Sequence, residues 1–192
     1  MNGFIDRVDC AEIDGEKWLK VVDYKTGSKS FDLANIYNGY QLQLPLYTKM
    51  LLDLPEFKGY NVAAMEYFLA GVPKLEQGQE IDTPTLADNF KRKGLFVAEV
   101  ESVEALDSTE GGLYNNAHIN KDGSFASRAP VASRQEIDQL GEFVKKKTKS
   151  IMERMVSGDV SVCPMKQGVN ACRYCKFDGI CRFEYGKNKL SS

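Results

Sequence analysis

The chain has 192 residues, 43% of them hydrophobic and 27% charged, with a net charge of −2. That balance is the one expected of a water-soluble domain with a real core, and it excludes disordered, collagen-like and disulfide-stapled secreted chains. No apolar run nears the roughly 20 residues that span a bilayer and no signal peptide is visible, so the sequence reads as cytoplasmic; any DNA binding must come from local basic clusters or a metal, not from the overall field.

The first twenty-five residues hold the strongest pattern. GFIDRVD, Gly3 to Asp9, and KVVDYKTG, Lys20 to Gly27, are alternating runs on either side of an Asp14-Gly15 turn, which predicts a β-hairpin. Residues two apart on a strand share a face, so Asp23 and Lys25 project together and Tyr24 points the other way. Asp6 and Asp9 are three apart, so at most one can face that pair. Two carboxylates beside a lysine suit a hard cation such as Mg²⁺, which activates a water and offsets charge on a phosphoryl oxygen. The lysine would orient that water or stabilise the developing negative charge. D-x-K alone is also what a solvated surface strand carries. A strand so near residue 1 leaves little to cover one side of a sheet and reads as a fragment of something longer.

After a polar loop, Asp32 is the expected N-cap of a helix over Leu33 to Asp53. Its apolar positions, Leu33, Ile36, Tyr37, Tyr40, Leu44, Tyr47, Leu51 and Leu52, run close to a 3.6 period. Gln43 and Tyr47 share a face, with Gly39 one turn before them; Pro45 is expected to kink the helix and Pro55 to end it. Asn61 to Ala70 reads as a buried strand, 71 to 84 as a loop, Thr85 to Lys93 as a short helix, and Leu95 to Val100 as a strand or extended link. From Glu101 to Arg128 only turns are signalled, at Gly111-Gly112, Asn115-Asn116 and Asp122-Gly123. The single histidine, His118, reads there as an ordinary loop residue.

Ser133 to Val156 is the clearest helix, with a Ser133/Glu136 capping box, an apolar face of Ile137, Leu140, Val144, Ile151 and Met155, and a stop at Gly158. Its KKKTK run, Lys145 to Lys149, is either a solvated face or a track for a phosphate backbone. Beyond it Cys172, Cys175 and Cys181 form C-x₂-C-x₅-C, a metal or cluster pattern short of one ligand. Cys163, Cys10 or a residue upstream could supply it; three unmetallated thiols are the bland alternative.

In order and spacing, GFIDRVD, VVDYKTG, Gln43-x-x-x-Tyr47 and the three cysteines resemble the PD-(D/E)XK nucleases of the RecB superfamily. Within it they are similar to the nuclease domains of bacterial ATP-dependent helicase–nucleases. The similarity covers nearly the whole chain, including FKRKGLF at Phe90 to Phe96, KDGSF at Lys121 to Phe125 and the MVSGDVSVCP approach to the cysteines. It implies an α/β, restriction-endonuclease-like fold: a central mixed sheet flanked by helices over residues 1–160, then a cysteine-rich segment over 161–192. It further implies Mg²⁺ on Asp6, Asp23 and the Tyr24 carbonyl, with Lys25 catalytic and Gln43 and Tyr47 either contacting DNA or supporting the site. Cys172, Cys175 and Cys181 would be three of four ligands of a [4Fe–4S] staple. The family's first cysteine lies far upstream, and Cys163 matches no family ligand. DNA would be the substrate, fed by a helicase–nuclease partner subunit, with no membrane involved. Two rival readings are a free-standing RecB-like exonuclease of the kind used in CRISPR adaptation and a non-catalytic, zinc-stapled DNA-binding or scaffolding module.

Overall fold

The computed structural model describes residues 3–27, 29–70, 92–106, 116–162, 164, 172, 175–181 and 183. Strands β1 (Arg7–Ile13), β2 (Glu16–Lys25), β3 (Tyr60–Leu69), β4 (Lys93–Val97) and β5 (Val131–Ala132) form one sheet in sequential order. The expected hairpin is present. Asp14 and Gly15 sit at φ 51° and 80°, the left-handed pair that a two-residue turn between twisted strands requires. β3 runs parallel to β2, β4 antiparallel to β3, and β5 parallel to β4, so the sheet is mixed. A parallel β2–β3 pair needs a long crossover. It is built from α1 (Leu33–Tyr37), α2 (Gln43–Leu52) and a 3-10 turn at Pro55–Phe57.

β2 and β3 are buried on both faces, which is why VV and VAAM read as continuous apolar runs. On one face Leu19, Val21, Met65, Leu95 and Val97 pack with Leu44 and Leu51 of α2 and Ile137 of α4 (Arg134–Val156). On the other, Ala64 and Phe96 pack with Val103 of α3 (Val100–Leu106) and Ala117. The mixed sheet flanked by helices is the α/β architecture expected from the sequence.

The single helix expected over 33–53 is instead two. Asp32 caps α1 as predicted, accepting from the Ala34 and Asn35 amides at 2.8 and 3.2 Å. The helix then stops because Gly39 takes φ 91°, where its amide reaches the Ile36 carbonyl and that of Tyr40 reaches Asn35. Gly39 is therefore a terminator and not a gap facing Gln43 and Tyr47. Pro45 does not kink α2; it lies in the first turn, where a missing N–H costs nothing.

Residues 71–91, which hold the expected loop and most of the helix at Thr85 to Lys93, lie outside the described residues. Lys93 itself opens β4, so the helix does not extend that far. α3 falls in the stretch read as turns, because VESVEAL is too short for a period to emerge. Asp122-Gly123 turns as expected, with Gly123 at φ 79°, and His118 is an exposed loop residue. The capping box of α4 forms: Glu136 Oε2 accepts from the Ser133 amide at 2.8 Å, and Ser133 Oγ accepts from the Glu136 amide at 3.2 Å. At the other end the Gly158 and Asp159 amides close on the Met155 and Arg154 carbonyls, a Schellman ending.

The α3-facing side of the sheet carries a group of buried charges. Lys20 donates to Asp9 at 3.2 Å, and Glu66 lies within 3.6 Å of Arg92, with neither Glu66 oxygen in a directed hydrogen bond. Burial pushes the Glu66 carboxyl above its ordinary 4.5, only partly countered by Lys20 and Arg92. The folded chain thus holds this proton more tightly than the unfolded one. Stability is therefore lost as pH rises from the unfolded carboxyl range through the raised value. Glu66→Gln should remove that loss. Urea midpoints of variant and wild type, compared between about pH 4.5 and pH 8, should diverge in the variant's favour as pH rises.

The chain divides into two compact units: residues up to Phe31 with Gln43–Phe143, and Asp32–Leu42 with Val144 onward. The whole sheet lies in the first. Among the described residues no helix is long and apolar enough to cross a membrane.

Candidate functional site

Asp23 and Lys25 lie at the C-terminal end of β2 on the same face, as the strand period requires. Lys25 Nζ stands 2.6 Å from Asp23 Oδ2 and 3.4 Å from Gln43 Oε1. Asp23 is only 7% exposed, whereas the Lys25 side chain keeps 31% of its surface in water. Asp6 precedes the first β1–β2 ladder pair, Arg7↔Val22, which puts it across from Asp23. Its Oδ2 accepts the Tyr24 amide at 2.8 Å, fixing an exposed carboxylate beside the buried one. Asp9 belongs elsewhere: it accepts from Arg7 Nε at 2.7 Å and from Lys20 on the opposite face. Burial pushes the Asp9 carboxyl up, but the bonds from Arg7 and Lys20 prevail and hold it low. Tyr24 points away from Asp23, packing edge-on to Phe68 at 5.4 Å.

Gln43 opens α2 and Tyr47 follows one turn later. Gln43 therefore steadies the Lys25 ammonium, and Tyr47 meets the segment that carries Asp6. A Cβ on Gly3 would lie 2.8 Å from Tyr47 Cζ and closer still to its hydroxyl. A side chain at position 3 would have to push the tip of the Tyr47 ring or the chain itself aside, three residues before Asp6. Gly3→Ala should displace Asp6, lowering divalent-cation affinity by an order of magnitude, roughly 1.4 kcal/mol, while leaving the thermal midpoint nearly unchanged. Calorimetric titration checks it.

Tyr67 was not among the expected site residues. It pairs with Asp23 across β2–β3 and is 2% exposed. Burial first, then the Asp23 charge, pushes its phenol up to about 12, so it stays protonated beside Asp23. Phe31 packs on it at 6.5 Å, and Lys29 Nζ stands 6.0 Å from the ring centroid. The only sequence signal was position: it is the β3 residue level with Asp23 once a parallel pairing is assumed.

The donor set fits a hard cation. Asp6 and Asp23 offer carboxylate oxygens to it, and the buried Asp23 Oδ2 is held beside the Lys25 ammonium at 2.6 Å. The cysteines are less organised. Cys172, Cys175 and Cys181 carry no disulfide, and the Cys175 amide donates to the Cys172 carbonyl at 3.2 Å. Among the described residues no three His, Cys, Asp or Glu side chains gather as a metal set. Cys163 lies outside the described residues.

A mixed sheet that presents two carboxylates and a lysine at adjoining strand ends defines the restriction-endonuclease-like class. The sequence model of the PD-(D/E)XK nuclease superfamily matches residues 1–182, and the chain belongs to that superfamily. It is 34% identical over 197 residues to one subunit of the ATP-dependent helicase/deoxyribonuclease of Clostridium perfringens strain ATCC 13124, covering 96% of this chain. The corresponding subunits from Caldanaerobacter subterraneus and Bacillus thuringiensis strain Al Hakam are 33% and 34% identical, each over 95% of this chain. The chain spans about 17% of the length of the first and third of these relatives and 16% of the second.

Proposed function

We propose that the chain is the Mg²⁺-dependent deoxyribonuclease domain of a helicase–nuclease that processes DNA double-strand breaks for recombinational repair in the cytoplasm. The carrying observation is the convergence of Asp6, Asp23, Lys25 and Gln43 at one edge of the sheet. The names of the relatives support DNA as the substrate and a helicase partner subunit as its supplier.

Asp6, Asp23 and the Tyr24 carbonyl would hold Mg²⁺, which when bound supplies Lewis-acid polarisation of the phosphate and an acidified water. The chain's own groups do the rest. Gln43 holds the Lys25 ammonium at the mouth of the site, where it meets negative charge developing on the phosphate oxygens. Partial burial of Asp23 lowers the local dielectric and strengthens that interaction. Tyr67 and Phe31 wall the inner side against water. The test is cleavage of labelled single-stranded DNA with Mg²⁺, abolished by chelator and restored by excess Mg²⁺. Cleavage that persists under chelation would overturn the reading.

We further propose that Cys172, Cys175 and Cys181 carry a [4Fe–4S] staple completed by a fourth ligand from upstream. It has no step in the hydrolysis. Iron and acid-labile sulfide assays on protein purified without oxygen decide between this cluster and zinc.

A further inference from the structure

A second ammonium stands beside the site, in the loop that leaves β2. Partners across a ladder share a face of the sheet, and Tyr67 is the β3 partner of Asp23. The Tyr67 side chain therefore rises alongside the Asp23 carboxylate, with the two backbones about 4.8 Å apart. Burial and then the Asp23 charge raise the Tyr67 phenol, so the two groups are close enough to interact. Lys29 Nζ lies 6.0 Å from the centroid of this ring, a cation–π contact that ties the ammonium to the Asp23 face. The loop that carries Lys29 is anchored on both sides. Before it, the Lys25 carbonyl accepts the Ala70 amide at 2.8 Å where β2 ends. After it, Phe31 packs on the same Tyr67 ring, with 6.5 Å between centroids.

The two lysines of this face differ in what surrounds them. Lys25 is engaged by Asp23 at 2.6 Å and by Gln43 at 3.4 Å. Lys29 is half-buried, yet among the described residues it meets no carboxylate. A partly desolvated ammonium has three donors to satisfy, and a ring face accepts none of them as an oxygen would. An anion next to the site would fill that place. A nucleic-acid strand brings one, because the phosphate on which Asp23 and Lys25 act has a neighbour one nucleotide away. The competing account is that the four-carbon stem of Lys29 merely covers Tyr67 and leaves the charge to water.

We propose that Lys29 binds the DNA phosphate next to the scissile one and so holds the strand in register over Asp23 and Lys25. This rests on the nuclease reading for its choice of DNA, but the contact it assigns is one of binding and takes no part in the chemistry. The test is fluorescence anisotropy of a labelled twenty-nucleotide thymidine oligomer against the chain, with divalent metal chelated, across a salt series starting low. Lys29→Gln keeps the stem on the ring and removes the charge. It should weaken binding about 5-fold and reduce the slope of log affinity against log salt by about 0.7, one phosphate on a single strand. Lys29→Arg should keep the wild-type slope. Lys121→Gln is the control for overall charge and should leave the slope unmoved, since its turn packs through Ile119 and Phe125 on the opposite face of the sheet. With Mg²⁺ present, Lys29→Gln should raise the protein concentration that half-saturates single-turnover cleavage, with the saturating rate within about twofold of wild type. Wild type that does not bind the oligomer overturns the assignment. So do a Lys29→Gln variant with wild-type affinity, a Lys29→Arg variant with the lowered slope, and a Lys121→Gln variant that lowers it equally. Because the binding series contains no metal, its outcome stands apart from any failure of Mg²⁺-dependent cleavage.

Discussion

Asp23→Ala should reduce Mg²⁺-supported DNA cleavage to background, a loss of about 10³-fold or more, while the thermal midpoint stays within a few degrees of wild type. The first half follows from what Asp23 offers. It is the more buried of the two carboxylates and the one that sets the Lys25 ammonium in place. A metal-held phosphoryl transition state draws several kcal/mol from such a site, and each 1.36 kcal/mol lost is tenfold in rate. The second half follows from Lys25. Removing one partner of a buried ion pair is costly when the other charge is stranded. Here the ammonium keeps 31% of its surface in water and retains Gln43, so it rehydrates in place. Single-turnover cleavage and a thermal melt on the same preparation check both halves. Full cleavage by the variant would remove Asp23 from the metal site. An unfolded variant would show that the pair holds the sheet end together, and Asp23→Asn, which keeps the shape, would then carry the activity test.

How much of this could be read in the residues follows from how local each cause is. The D-x-K face is a matter of strand period, and the hairpin is a matter of two φ angles at Asp14-Gly15, so both were legible. The Asp32 cap and the Ser133/Glu136 box were legible because their partners lie within three residues. The break between α1 and α2 was not. Leu33, Ile36, Tyr37, Tyr40 and Leu44 keep a helical spacing straight through it, while the backbone leaves the helix over residues 38–42, turning at the left-handed Gly39. The pattern stated which side chains are apolar, not that the chain turns between them. The partners of Tyr47 and Asp23 were beyond reach for another reason. Gly3 lies 44 positions before Tyr47 and Tyr67 lies 44 after Asp23; each meets its partner only once the strands and the crossover are in place.

Gly94→Ala should be the most destabilising single methyl in the sheet, by about 3 kcal/mol or a melting shift of roughly 6–12 °C for a chain of this size. Glycine in a strand interior marks a close approach, and here the approach is from backbone. Gly94 is buried in β4 opposite Glu66 of β3. An added Cβ would lie 2.9 Å from Glu66 Cα and 3.0 Å from Met65 C, and would overlap the Met65 carbonyl oxygen. No rotamer relieves that, because the obstacle is main chain. β4 would have to lift from β3 and loosen its pairing at Met65↔Leu95 and Ala64↔Phe96. Phe96 and Val97 are fully buried, so the shift opens both cores at once. Glu66, already buried without a directed hydrogen bond, would lose part of its cover in the same movement. The Asp6–Asp23–Lys25 group lies on β2 and just before β1, strands that do not pair with β4, so the fraction that stays folded should cleave DNA with an unchanged rate per folded molecule. Activity measured at low temperature against the folded fraction from circular dichroism separates the two effects. A variant that is stable yet inactive would mean that β4 positions the site.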